Sequence, residues 1–226
     1  MVNRYIEAFV DLSTVKGSGV IRRVISGDTN LLRELVFYAI AAAGAYHFSQ
    51  LRFALSGQQP DNDIYHLMSG TGYTPFQYRV FVPWTVNLIL SGFKLFPSIP
   101  EVSPEGLFQN IELLTVFLLF IAVRYLVSMF STNDIARMTS PFIVFHVPLF
   151  HYVLPRAEPL WYVHWFPWDI PSVLFITMGL IFLRTQRWTP YYVLFIAATM
   201  NRETSICLTF VYLLTSLGKG LARSKR

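Results

Sequence analysis

Cysteine and charge are what this chain of 226 residues has least of: one Cys, at position 207, and 14% charged residues. A single thiol excludes an intramolecular disulfide framework and a zinc cluster of several thiolates. A soluble domain is about a quarter charged, so the polar surface that such a domain needs cannot be assembled here. Disordered, collagen-like and disulfide-stapled classes are excluded by the same composition. Also missing are a phosphate-binding glycine loop, a Ser or Cys nucleophile signature and a zinc-protease motif. What the chain does have is apolar mass: 54% hydrophobic and 16% aromatic residues, with a mean hydropathy of +0.45. The composition predicts an integral membrane protein.

The charges fall in clumps, and the gaps between them read as spans. Uncharged runs cover 35–51, 80–93, 138–155, 170–183, 188–201 and 204–218, and an apolar block at 113–130 is interrupted only by Arg124. A span needs roughly 20 residues, so most of these runs must extend into their flanks, tilt, or stop inside protein. The prediction is an all-α membrane bundle of six or seven segments, some short, broken or re-entrant, with a polar interior. The count turns on 188–217, which holds Asn201-Arg202-Glu203-Thr204 in its middle. At about 45 Å if helical, that segment is long for one crossing and short for two.

Basic residues set the orientation. Arg4, Lys16, Arg22 and Arg23 precede the first span, while Lys219, Arg223, Lys225 and Arg226 follow the last. Both termini are therefore expected in the cytoplasm and loop 53–79 outside. The net charge of +5 fits tails resting on anionic headgroups and calls for no nucleic acid. Residues 1–30 read as an amphipathic cytoplasmic lead-in with no cleavable signal peptide, and 218–226 as a basic cytoplasmic tail. With no internal repeat or long linker, 1–226 is expected to be one polytopic domain.

Three stretches could carry chemistry. In the outer loop, Asp61 and Asp63 stand two residues apart; such a pair can serve as a general base or hold a divalent cation through oxygen ligands, or be an ordinary solvated turn. Arg79, beside Tyr78, sits where a span begins, and a guanidinium there can grip a phosphate through two parallel hydrogen bonds or simply snorkel. At Asn201-Arg202-Glu203, charges between apolar runs must be paired, face a polar cavity, or form a turn at the membrane face. The aromatic stretch 155–169 reads first as an interfacial belt, but its rings could also stack on a sugar, and Asp169 is a residue that belt chemistry does not explain. His146, His151 and His164 lack the spacing of a shared helix face and read as bundle histidines, so no metal site is expected of them. Glu112 and Arg124 read as end-of-span or bundle-interior charges.

The order of these pieces adds a resemblance. A first membrane helix, an outer loop with acidic residues and Tyr65, Gly70-x-Gly72, then Pro75-Phe76-Gln77-Tyr78-Arg79 and Val82-Pro83 opening a span resemble polytopic glycosyltransferases of the GT-C superfamily. Trp168-Asp169-Ile170-Pro171 and Asn201-Arg202-Glu203-Thr204 look like patterns in bacterial membrane proteins of that type. The resemblance implies an outward-facing site in a multi-pass protein of the bacterial inner membrane. There Asp61 or Asp63 acts as base and Arg79 contacts the polyprenyl phosphate of a lipid-linked sugar donor. Tyr65, Gln77, Tyr78, Trp168, Asp169, Asn201, Arg202 and Glu203 complete the expected substrate-binding set. The rival expectation is a membrane transporter, or an accessory subunit that assembles with a membrane protein partner of an envelope-glycan system.

Overall fold

The computed structural model describes residues 29–55, 63–74, 78–96, 100, 102–152 and 165–224. Residues 1–28 of the expected lead-in, Asp61, Gln77 and the aromatic stretch as far as His164 lie outside the described residues. Among those described there are helices and turns and no strand, so the chain is all-α. The helices are α1 (Thr29–Leu55), α2 (Ile64–Ser69), α3 (Phe81–Lys94), α4 (Pro104–Ser128), α5 (Asn133–Tyr152), α6 (Asp169–Thr185), α7 (Trp188–Asn201) and α8 (Ile206–Ser224). As far as its residues are described, each apolar run of the sequence falls mainly on one of the longer helices. The uncertain segment 188–217 is two helices rather than one: Arg202 is extended (φ −165°, ψ 144°), and a 3-10 turn at Glu203–Ser205 leads into α8.

The helix ends follow from local chemistry. Ser103 caps α4, its hydroxyl accepting the Gly106 N–H at 3.1 Å, with Pro104 and Glu105 in the first turn. A pre-set φ suits that position, and a negative charge faces the positive end of the helix. At the other end of the bundle, α6 stops where Gln186 takes a φ of 57°. The Arg187 N–H then reaches back to the Phe182 carbonyl at 3.0 Å, closing off the last turn.

By backbone proximity the chain divides into two compact units, Met1–Ile40 and Ala41–Arg226. Of the first, the described part is the opening of α1. In the second, α4 is the hub: α5 and α6 pack along it, α7 lies against α6 and α3, and α2 packs on α3. Ala41, Ala45, Phe48, Ser49 and Arg52 are buried, a stripe at helical spacing that faces the hub. Gly44 sits beside it because a Cβ there would lie 2.6 Å from the Phe145 ring of α5. Gly179 does the same for α6 and α8, where a Cβ would lie 2.6 Å from Leu208. Beside the hub, Ile64, Val82, Val86, Leu107, Phe108 and Trp165 form an apolar cluster that seats α2 and α3.

Pro104–Ser128 is, among the described residues, the helix long and apolar enough to cross a membrane, with a hydropathy of 2.1 over its best window. Elsewhere the outer faces carry large apolar side chains, from Phe142 at 62% exposed to Met138 at 79%, with Leu88, Val193, Ile196, Ile206 and Phe210 between. Four charged side chains, Arg52, Arg79, Glu112 and Asp169, are nevertheless buried.

Candidate functional site

Where α1, α4, α6 and the α7–α8 turn meet, six charged side chains form two connected ion-pair systems. Arg52, on the buried stripe of α1, is completely enclosed. Its Nη1 donates to Glu112 Oε2 at 3.0 Å, and its Nη2 to Asp169 Oδ2 at 2.9 Å and the Phe166 carbonyl at 3.1 Å. Glu112 Oε2 also accepts the Trp165 indole N–H at 2.6 Å. Asp169, the first residue of α6, gives its other oxygen to Arg202 Nη1 at 3.0 Å. The result is a continuous chain, Glu112–Arg52–Asp169–Arg202.

Arg79 and Glu203 form the second system. The guanidinium donates through Nε to Oε2 at 3.2 Å and through Nη2 to Oε1, a two-pronged pair. Arg79 also lies over the Trp168 ring, 5.1 Å from its centroid, within cation–π range. Trp168 is fully buried, between Phe166, with which it stacks at 5.0 Å, and the residue that opens α6. Asn201 locks the turn to α6, donating from Nδ2 to the Trp168 carbonyl and to Ser172 Oγ, each at 2.9 Å.

Arg52, Arg79 and Arg202 thus face Glu112, Asp169 and Glu203, and the formal charges cancel. A buried charge is tolerated only when paired and hydrogen-bonded, and the four buried ones, Arg52, Arg79, Glu112 and Asp169, each are. Two acceptors are left over: Glu112 Oε1 and Asn201 Oδ1 are buried without a hydrogen-bond partner among the described residues. Each can take a hydroxyl donor or a buried water.

Of the expected site residues, Arg79, Trp168, Asp169, Asn201, Arg202 and Glu203 come together here. Arg202 and Glu203 pair with Asp169 and Arg79 rather than with each other. Tyr78, next to Arg79, points outward at 68% exposure. The residues expected of the outer loop have partners outside the cluster. Asp63 caps α2, its Oδ1 accepting the His66 N–H at 2.8 Å and meeting His66 Nδ1 at 2.9 Å. The backbone N–H bond from His66 holds the Asp63 carboxyl below its ordinary range. Tyr65 donates to Glu105 Oε1 at 2.6 Å, and that hydrogen bond, with the acceptor's negative charge, pushes the phenol's ionisation up.

Arg52 and Trp165 were not expected, and Glu112 was expected only as an unassigned interior charge. One signal could have found Arg52: it continues the spacing of Ala41, Ala45 and Phe48, so a charge stands in register with an apolar stripe. Trp165 and Trp168, read from sequence as belt residues, are buried instead. Among the described residues, no three His, Cys, Asp or Glu side chains gather as a metal site. His146 stacks on Phe142 at 4.0 Å.

Compared with family models, curated proteins and solved structures, the chain matches none of them.

Proposed function

We propose that the chain is an integral membrane helical bundle of six or seven segments that transfers a sugar from a polyprenyl-phosphate donor to an acceptor on the outer membrane face. The membrane part is supported by large apolar side chains that cover the outer faces, by the long apolar helix Pro104–Ser128, and by a buried cluster of paired charges among otherwise apolar packing. In this reading the protein is multi-pass in a bacterial inner membrane, with both termini cytoplasmic and loop 53–79 outside.

The catalytic part is carried by one observation, the meeting of Arg79 with Glu203 over Trp168, beside Arg202. Glu203 is the exposed end of that pair, 65% against 8% for Arg79. A donor phosphate can therefore replace the Glu203 carboxylate on the same two guanidinium donors while Arg79 stays seated on the indole. Arg202 adds a second positive charge. In the transfer, the acceptor hydroxyl oxygen bonds to the anomeric carbon while its proton passes to Asp61 or Asp63. The bond from that carbon to the phosphate oxygen breaks, and the lipid phosphate leaves with the electron pair, its charge met by Arg79 and Arg202. Tyr65, Gln77 and Tyr78 belong to the same outer loop.

The test is a transfer assay on the purified protein with polyprenyl-phosphate-linked sugars, comparing wild type with Asp61→Asn, Asp63→Asn and Arg79→Lys. Loss of about a hundredfold with one Asp change, and weakened donor binding with Arg79→Lys, are the expected results. Undiminished turnover in both Asp variants overturns the base. A second reading is favoured by the cancellation of charge, since each arginine of the cluster already holds a carboxylate. It makes the protein a transporter or a non-catalytic accessory subunit of an envelope-glycan system. It prevails if the wild type transfers nothing from any such donor.

A further inference from the structure

Along α6, an apolar groove of about 440 Å³ runs between α4, α6 and α7, a volume in the range of small-molecule sites. Its lining includes Leu118, Ala122, Leu174 and Met178, with the exposed Tyr125 and Arg187 at its mouth. From Leu174 to Thr185 the groove follows α6 for about 17 Å, close to one leaflet's half of a hydrocarbon core roughly 30 Å thick.

The mouth is chemically different from the walls. Arg187 is exposed, and among the described residues no carboxylate pairs with it. Its backbone is fixed by the Phe182 bond that closes α6. Arg184, exposed on the same turn, lies over the Phe130 ring at 5.8 Å. An apolar groove one leaflet long, with an unneutralised guanidinium at its mouth, is complementary to an anionic amphiphile.

We propose that this groove binds an anionic bilayer phospholipid, one acyl chain lying along Leu118, Ala122, Leu174 and Met178 and the phosphate head group on Arg187. No residue of the Arg79 cluster lines this groove, and Arg187 lies beyond the opposite end of α6 from Asp169. The lipid site rests on the membrane part of the functional reading and not on the sugar transfer.

The test is native mass spectrometry of the full chain released from nanodiscs of equal phosphatidylglycerol and phosphatidylcholine. Wild type is expected to retain phosphatidylglycerol over phosphatidylcholine by about fivefold, as one basic residue near an anionic head group supplies. Arg187→Gln should bring the two lipids to parity. Leu118→Trp, at a rim position 41% exposed, fills the channel without entering the core and should lower retention of both. Arg184→Gln, outside the groove, should leave the preference unchanged.

Equal retention by wild type and Arg187→Gln overturns the head-group site. Undiminished retention by Leu118→Trp overturns the channel, as does wild type holding a second copy of itself in place of lipid. Lipid retained in a protein that transfers no sugar leaves this site standing while the transfer reading falls. A chain that inserts in bilayers but retains no lipid removes this site alone.

Discussion

Arg79 and Glu203, 124 positions apart in the chain, meet through a two-pronged ion pair of which one partner is buried and the other open to solvent. The asymmetry separates their contributions. Arg79 is held by packing over Trp168 as well as by charge, whereas Glu203 is mostly exposed. Glu203→Gln should therefore change thermal stability by about 1 kcal/mol or less, as an exposed ion pair does. Arg79→Gln should cost more, because it also loses the cation–π contact. A double-mutant cycle read by thermal unfolding in detergent checks this. A coupling well above 1 kcal/mol would mean that Glu203 is far better shielded than its exposure indicates.

Arg52 is the contrasting case. It is enclosed, and it bridges two carboxylates and a backbone carbonyl. Arg52→Met leaves Glu112 and Asp169 without their shared cation, a loss of about 3–5 kcal/mol for a buried pair broken on one side. Arg52→Lys keeps the charge but loses the planar fork that reaches both carboxylates, so its stability should fall between wild type and Arg52→Met. The yield and melting temperature of purified protein give the order. Equal values for Met and Lys would remove the bridging role.

The close approach of α6 and α8 gives a packing test. Gly179→Ala places a methyl 2.6 Å from Leu208, a side chain with 1% exposure and little room to move. Overpacking of this kind costs about 1–3 kcal/mol, set against a gain of up to about 1 kcal/mol in helix propensity. The double change Gly179→Ala with Leu208→Ala should be less destabilised than the two single changes added together. Simple additivity in the melting data would show that the helices separate freely.

Much of this was legible from the chain because buried helices in a charge-poor protein announce themselves as uncharged runs. Arg79, Asp169, Arg202 and Glu203 stood out since charge beside an apolar run needs a partner. The partners themselves were not legible. Arg52 with Glu112 is a contact between α1 and α4, and Arg79 with Glu203 is one between the start of α3 and the α7–α8 turn; no local spacing encodes either. The break at Arg202 was visible as a possibility, but choosing between one helix and two required the extended backbone at that residue. Trp165 was read only within the aromatic stretch because an aromatic run beside an apolar run has the same composition whether it faces headgroups or, as here, roofs an ion-pair network.

Asp63 has two assignments that one set of substitutions separates. It caps α2 through the His66 N–H, and in the functional reading it is one of two candidate bases. Asn caps as well as Asp, so Asp63→Asn keeps the helix and removes the base. Asp63→Ala removes both and should cost about 1 kcal/mol of local stability, seen as faster hydrogen exchange in Ile64–Ser69. The pH dependence follows from the lowered carboxyl. A folded value below the unfolded one, about 3.9, gives a contribution that is fully present above that pH and is lost as the pH falls through the folded value. Exchange in α2 should therefore quicken, beyond its intrinsic pH trend, only in strong acid in the wild type, and should lack that step in Asp63→Asn. If Asp63→Asn transfers sugar at the wild-type rate with α2 intact, Asp63 is a cap alone and the base falls to Asp61. If it loses about a hundredfold in turnover with exchange near neutral pH unchanged, the loss belongs to the chemistry and not to the fold.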